Sequence, residues 1–171
     1  MKKLGLLLVV GLMFLLVACS NGGSEDKKSS DTDSKSKDSN ETVKIENNYK
    51  ANGEKRDGSD AKTVKETVEV PKNPEKAVVL DYGALDIMQQ MDLKSHVKAV
   101  AKGQGNAFLP HALNEFKSDQ YINLGNPGRP KYDNLAKAKP DLILASFRQA
   151  HTKTIDEMKK AAPDAQILFV S

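Results

Sequence analysis

Downstream of Pro74, short runs of apolar residues alternate with segments whose apolar residues recur at helical spacing. Ala77 to Leu80 is a continuous apolar run, which is typical of a strand buried on both faces. Strands that alternate with helices indicate βαβ units and a mainly parallel sheet in a Rossmann-like α/β lobe. Strands are predicted at 77–80, 97–101, 141–145 and 166–170, and helices at 83–91, 109–116, 132–139 and 152–162.

Residues 42–74 show a different pattern, in which β-branched residues alternate with charged ones. The turn dipeptides Asn52-Gly53 and Asp57-Gly58 lie between the two alternating stretches, and prolines follow the second stretch. The pattern predicts an antiparallel pair of strands, an N-terminal β-ribbon at the edge of the fold. We therefore assign residues 42–74 to a β segment and residues 75–171 to the α/β lobe.

The first 18 residues have the layout of a secretory signal. Two lysines precede a run from Leu4 to Val17 that contains no charged or polar side chain. This run is shorter than the roughly 20 apolar residues that cross a bilayer as a helix. It ends at Ala18-Cys19, and Cys19 is the single cysteine of the chain. We predict cleavage after Ala18 and lipidation of Cys19, which would anchor the chain on the extracellular face of the cell membrane. An ordinary signal peptide, or an uncleaved anchor with a chance cysteine, is the alternative.

Residues 19–41 are predicted to form a disordered tether that starts at the lipidated cysteine. Between Ser20 and Asn40 the chain carries neither an aromatic nor an aliphatic side chain, so it lacks the apolar surface that would offset its ordering entropy. Its charges alternate in sign and nearly cancel, which favours a solvated spacer over a polyelectrolyte arm. The formal net charge of the whole chain is +3 and its aromatic content is 5%, a composition unlike a nucleic-acid-binding surface.

Several cations follow the predicted core strands, at the edge where ligands of open α/β sheets bind. Lys102 follows the second core strand, and Arg148 follows the strand at 141–145. Arg129 and Lys131 lie in a Gly/Pro-rich loop before a helix. Converging cations suit an anionic, oxygen-rich ligand, because guanidinium groups offer forked donors and a permanent charge. Solvated surface cations are the alternative. Tyr82, after the first core strand, could stack on an aromatic ligand or cap the core.

Motifs for catalysis and for cofactors are incomplete in the sequence. Gly103-Gln104-Gly105 begins like a dinucleotide-binding loop, but the third glycine of that motif is missing. The three histidines are far apart and do not have metal-ligand spacing. The lone cysteine is assigned to the anchor, and no Ser–His–acid set is suggested. We therefore predict no catalytic residues, no metal ligands, no cofactor and no enzymatic activity.

Four stretches of the chain resemble one known family as a set. These are the lipobox, residues 67–74 (TVEVPKNP), residues 78–86 (VVLDYGALD) and residues 135–143 (LAKAKPDLI). Ser146-Phe147-Arg148-Gln149 is in addition similar to the family's Ser-Gly-Arg-Gln turn, with Phe147 in place of a commonly small residue. The family is that of the iron–siderophore substrate-binding lipoproteins of ABC importers, in particular Gram-positive members that take up catechol-type siderophores. The similarity covers roughly residues 42–171.

The resemblance implies two α/β lobes joined by a long helix, with a ferric siderophore in the cleft between them. In this family the siderophore holds the iron, basic residues surround the anionic complex, and the protein docks on a permease driven by an ATPase. Arg148 matches the family's arginine after the strand. Arg129 lies in a loop that often contributes a basic residue, although the spelling of residues 126–130 departs from the usual one.

The length of the chain departs from the family, because it ends at Ser171, directly after the last predicted strand. We expect a truncated protein that has the N-terminal lobe alone, lacks the second lobe, binds weakly and does not support transport by itself. Two other functions stay open on the sequence. One is a binding protein for haem or cobalamin, and the other is a surface structural or adhesion module without a small ligand.

Overall fold

The computed structural model describes residues 41–55 and 57–171. The predicted signal peptide, Cys19 and nearly all of the predicted tether lie outside the described residues. Within the described part of the chain, no helix is both long enough and apolar enough to cross a membrane. The helices and strands, in chain order, are β1 (Thr42–Ala51), β2 (Lys62–Pro71), β3 (Ala77–Val79), α1 (Tyr82–Gln90), β4 (Val97–Val100), β5 (Ile122–Asn123), β6 (Gly125–Asn126), β7 (Arg129–Pro130), α2 (Tyr132–Ala138), β8 (Leu142–Ala145), α3 (Thr152–Ala161) and β9 (Gln166–Phe169).

A five-stranded sheet forms the centre of the lobe, with the strand order β5-β4-β3-β8-β9. Every neighbouring pair in this sheet is parallel. The predicted α/β architecture with a mainly parallel sheet is therefore confirmed. Because all five strands run the same way, their carboxyl ends meet at one edge of the sheet, which is the edge that carries the predicted rim residues.

Both faces of the sheet are covered, which explains why its strands are nearly continuous apolar runs. In β3 and the residue after it, Ala77 and Val79 pack with Leu85 of α1, whereas Val78 and Leu80 pack on the opposite face. The first face also receives Phe116, from a 3₁₀ helix at His111–Lys117. The second face is covered by α2 and α3, whose buried side chains are Leu135, Ala138, Ile155 and Met158.

Capping interactions and local backbone conformation set the ends of the helices. Asp81 caps α1, because its Oδ1 accepts a hydrogen bond from the backbone N–H of Ala84 at 2.8 Å. Lys139 ends α2 in a left-handed conformation with φ of 45°, and Pro140 follows it. The helix predicted at 109–116 is instead the 3₁₀ helix at His111–Lys117, interrupted at Leu113, where ψ is 23°. Pro110, at its N-cap, holds the chain extended before that turn.

The predicted ribbon is present as β1 and β2, an antiparallel pair with ten residue pairs from Thr42↔Pro71 to Ala51↔Lys62. It lies against the β9 side of the sheet, where Val70 packs with Leu142 and Leu168. At its tip, the backbone N–H of Asn52 donates to the carbonyl of Ala150 at 2.8 Å. The carbonyl of Asn52 in turn accepts from the N–H of Thr152 at 2.9 Å, so the ribbon tip fixes the start of α3.

Candidate functional site

Two connections meet at the carboxyl edge of the sheet. One is residues 146–149, here called the 146–149 turn, which follows β8. The other is the short antiparallel hairpin of β6 and β7, in which Gly125 pairs with Pro130 and Asn126 with Arg129. In that hairpin the N–H of Gly128 donates to Oδ1 of Asn126 at 2.8 Å, which closes a tight turn. A Cβ at Gly128 would lie 4.0 Å from the carbonyl oxygen of Arg148, so the two connections are in close contact.

Gln149 joins the 146–149 turn to the hairpin. Its side chain is fully buried, at 0% exposure. Its Oε1 accepts from the backbone N–H of Ser146 at 2.7 Å and lies 3.1 Å from the Ser146 hydroxyl. Its Nε2 donates to the carbonyl of Pro127 in the hairpin. A single amide thus satisfies polar groups of both connections and holds Arg129 and Arg148 on one side of the lobe.

The structure brings Arg129 and Arg148 together in an open groove of about 590 Å³. We call this the cationic groove. Lys153 stands there in the first turn of α3, where the helix backbone also presents its positive end. Glu157 is the acidic residue of the lining and forms an ion pair with Lys160 at 3.0 Å. The groove is lined by Gly128, Arg129, Tyr132, Arg148, His151, Lys153, Thr154 and Glu157.

An aromatic ring adjoins the cationic groove at Phe147. The guanidinium carbon of Arg148 lies 4.8 Å from the centroid of that ring, which is a cation–π contact. Phe147 is 63% exposed, whereas Ser146 and Gln149 in the same turn are fully buried. The turn therefore presents a ring and a guanidinium side by side at the surface.

Tyr82 lies at the same edge but outside the lining of the cationic groove. Its hydroxyl donates to the carbonyl of Ala101 at 2.7 Å, and its ring packs with the core on the α1 face. Burial raises the pKa of the Tyr82 phenol, and the positive charge of Arg148 partly opposes that rise. Tyr82 is therefore a neutral donor that ties α1 to the end of β4. Its predicted contact with a ligand stays a prediction.

The structure turns Lys102 inward and away from the cationic groove. This side chain is 2% exposed, and its ammonium donates to the carbonyl of Ser118 at 2.6 Å and to that of Lys117 at 3.4 Å. Burial lowers the pKa of Lys102, while Asp119 opposes that effect. The ammonium thus neutralises the carbonyl end of the 3₁₀ helix at His111–Lys117. Its predicted role in ligand binding gains no support from this position.

Lys131, the remaining predicted cation, is exposed and lies at the N-cap of α2. Its alkyl chain covers Gly125, where an added Cβ would be 3.2 Å from Cε of the lysine. Gly125 has a φ of 76°, a conformation that L side chains rarely adopt. Lys131 belongs to the same connection as Arg129 but does not line the cationic groove.

The groove also contains residues that were not predicted as site residues from the sequence. Tyr132, His151, Lys153 and Thr154 all stand at or near the first turns of α2 and α3. The signal that could have found them is position, because the N-termini of helices in a parallel α/β sheet face the same edge as the rim. Among residues 41–55 and 57–171, no three His, Cys, Asp or Glu side chains are grouped to hold a metal ion.

The parallel sheet, with helices on both faces and a cationic groove at its carboxyl edge, defines an α/β lobe with the periplasmic binding protein fold. A TroA-like periplasmic binding protein from Xylanimonas cellulosilytica has this fold, with a TM-score of 0.53, 22% identity, and coverage of 74% of this chain and 38% of that chain. No protein-family model matches the sequence.

Two curated relatives and two crystal structures narrow this class. The chain is 31% identical over 163 residues to the petrobactin-binding protein YclQ of Bacillus subtilis (strain 168), covering 95% of this chain and 43% of YclQ. It is 34% identical over 94 residues to the putative ABC transporter substrate-binding lipoprotein YhfQ of the same strain, covering 55% of this chain and 28% of YhfQ. The crystal structure of YclQ matches with a TM-score of 0.58 and 29% identity, over 77% of this chain and 38% of that one.

The periplasmic catecholate-siderophore binding protein VctP from Vibrio cholerae matches with a TM-score of 0.51 and 29% identity, over 75% of this chain and 37% of VctP. The predicted resemblance to the siderophore-binding proteins of ABC importers is confirmed by these matches. The chain spans less than half the length of the relatives it matches. The matched proteins are named as binding proteins rather than as enzymes.

Proposed function

We propose that the chain captures an anionic ferric siderophore of the catecholate type for import by an ABC transporter. The observation that carries the proposal is the convergence of Arg129 and Arg148 in one groove at the carboxyl edge of the parallel sheet. Lys153 adds a third positive charge to the same lining. In this proposal the siderophore chelates the iron, and the protein binds the outer, negatively charged oxygens of the complex.

The chemistry of the groove suits that ligand better than it suits a neutral one. A tris-catecholate iron complex is a compact anion that offers many oxygen acceptors, and guanidinium groups bind such acceptors through charge-assisted hydrogen bonds. The groove is open, so water screens these charges, and each contact contributes less than it would in an enclosed site. The names of YclQ and VctP, which specify petrobactin and a catecholate siderophore, support the same ligand class.

The first test is the affinity of an Arg148→Gln variant for the ferric complex of a hexadentate tris-catecholate. We expect the affinity to fall about tenfold, because a charge-assisted contact contributes roughly 1.5–3 kcal/mol and the open groove lowers that value. Quenching of tyrosine fluorescence can measure binding, since the chain contains four tyrosines and no tryptophan.

Lys137→Gln is the matched control, because it removes one positive charge from an exposed position of α2 that does not line the groove. Equal affinities of Arg148→Gln and Lys137→Gln would contradict the proposed site. Haem is the comparison ligand, and tighter binding of haem than of the ferric catecholate would favour the alternative of a haem-binding protein.

We further propose that the chain acts at the outer face of the membrane, anchored by a lipid on Cys19, and delivers its ligand to a permease with an ATPase. The signal-like run before Cys19 and the word lipoprotein in the name of YhfQ support the anchor. A Cys19→Ser variant, expressed in a Gram-positive host, is expected to move most of the chain from the membrane fraction into the medium. Retention of that variant in the membrane fraction would refute lipidation at this residue.

A further inference from the structure

We propose that Phe147 is a specificity-determining residue that selects aromatic, catecholate iron complexes over non-aromatic complexes of the same charge. This inference rests on the proposed function, because it concerns the same groove and the same ligand class. In the 146–149 turn, Ser146 and Gln149 make buried polar contacts and Arg148 supplies a positive charge. The inference assigns a role to the remaining residue of the turn, Phe147.

The exposure of Phe147 is unlike that of Phe108, the other exposed phenylalanine in the part of the chain that the structure describes. Phe108 is 46% exposed, but its ring covers Gly103 so closely that a Cβ there would collide with it. Phe147 is 63% exposed and does not itself line the cationic groove, but its ring contacts Arg148, which does. Phe147 also lines a second hollow of about 370 Å³, together with Tyr49, Phe169 and Val170 among others. Exposing a large apolar ring to water costs free energy, and contact with a ligand would remove that cost.

The backbone under Phe147 is firmly held. Its carbonyl accepts from the N–H of Ala150 at 3.2 Å, and the carbonyl of Ala150 accepts from Asn52 at the ribbon tip. The N–H of Arg148 donates to the Ser146 hydroxyl at 3.3 Å, and Gln149 fixes the turn from below. A ring on a rigid turn loses little conformational entropy when a ligand contacts it. Most of the favourable free energy of that contact therefore contributes to the affinity.

The position of Arg148 connects ring recognition to charge recognition. Its guanidinium lies 4.8 Å from the centroid of the Phe147 ring. In a catecholate, the metal-binding oxygens are attached directly to an aromatic ring. A catecholate oxygen bound by Arg148 therefore brings its own ring beside that of Phe147, within the range of aromatic pairing. An oxalate or hydroxycarboxylate complex also offers anionic oxygens to Arg148, but it has no aromatic ring to place beside Phe147.

The test compares two trianionic iron complexes, the ferric complex of a hexadentate tris-catecholate and ferric tris(oxalate) in excess oxalate. Phe147→Leu keeps an apolar side chain but removes the ring. We expect it to weaken binding of the catecholate roughly 2- to 12-fold, as the loss of an aromatic pair implies, and to leave oxalate binding unchanged. Phe147→Tyr keeps the ring and is expected to retain the wild-type preference.

Ile87→Ala is the matched control, since Ile87 is 60% exposed on α1 and lines neither hollow. An equal loss for both complexes in Phe147→Leu, or no loss for either, would overturn the inference while leaving the proposed function intact. Failure of the wild-type chain to bind the ferric catecholate would overturn the proposed function and the inference with it. Arg148→Gln separates charge recognition from ring recognition, because removal of the cation is expected to weaken the binding of both iron complexes.

Discussion

Replacement of Gln149 by leucine is expected to lower the free energy of unfolding by about 2–4 kcal/mol. The side chain is fully buried, and leucine cannot replace its hydrogen bonds to the N–H of Ser146 and the carbonyl of Pro127. Leaving a buried backbone group without a partner costs roughly 1–3 kcal/mol, so two such groups account for the expected loss. Denaturant unfolding of the variant and the wild type measures the difference.

The same substitution is expected to weaken binding of the ferric catecholate even under conditions in which the variant stays folded. Gln149 is the contact that holds the 146–149 turn to the hairpin, so its loss frees Arg148 and Arg129 to move apart. Gln90→Leu is the control, because Gln90 is an exposed glutamine at the end of α1. A variant with reduced stability and unchanged affinity would show that Gln149 is purely structural and does not position the cations.

The sheet could be predicted from the sequence because its strands are buried on both faces. The runs at 77–80 and 141–145 contain almost only apolar residues, and runs of this short length are typical of strands buried on both faces. The short strands β5, β6 and β7 were not predicted, since two residues cannot show a period. The pairing of β6 with β7 involves the positive φ of Gly125 and the contact of Gln149 with the hairpin, whereas β5 pairs with β4; all of these are properties of the folded state.

The position of the candidate site could be predicted from the sequence, but the direction in which each of its side chains points could not. The carboxyl-edge rule locates Arg129 and Arg148 correctly, because both follow from strand order and polarity. It fails to anticipate Lys102, whose long side chain can reach either outward to solvent or inward to a helix end. Which of these happens is decided by the carbonyl of Ser118, a backbone atom sixteen residues away along the chain. Periodicity carries no information about such a partner.

The ribbon also contains a side chain whose partner cannot be predicted from the periodicity of the sequence. The alternation in residues 42–51 predicts a strand, and its odd-numbered positions from Asn47 to Ala51 are the ones that are buried or half-buried. A polar residue at one of those positions, Asn47, reads as a defect in the pattern. In the structure it is 2% exposed and supplies the hydrogen bonds that the edge strand β9 would otherwise lack. Its Nδ2 donates to the carbonyl of Ile167 at 3.0 Å, and its Oδ1 accepts from the N–H of Phe169 at 3.0 Å.

Asn47→Leu is therefore expected to destabilise the lobe by about 2–4 kcal/mol, although it makes the strand more apolar. Leucine would leave the carbonyl of Ile167 and the N–H of Phe169 without partners, and would also remove the 2.8 Å bond from Asn47 to Glu66. Asn48→Leu is the matched control, because the neighbouring asparagine of β1 is exposed. Denaturant unfolding should separate the two variants clearly.

Amide hydrogen exchange gives a second, local measurement of the same substitution. In the wild type, the N–H of Phe169 is bonded to a side chain rather than to a neighbouring strand, so its protection depends on Asn47 alone. We expect Asn47→Leu to accelerate exchange at Phe169 more than at Leu144, whose strand β8 is paired on both sides. Unchanged protection at Phe169 would mean that β9 does not need this contact. The ribbon would then stabilise the site only through its tip at Asn52.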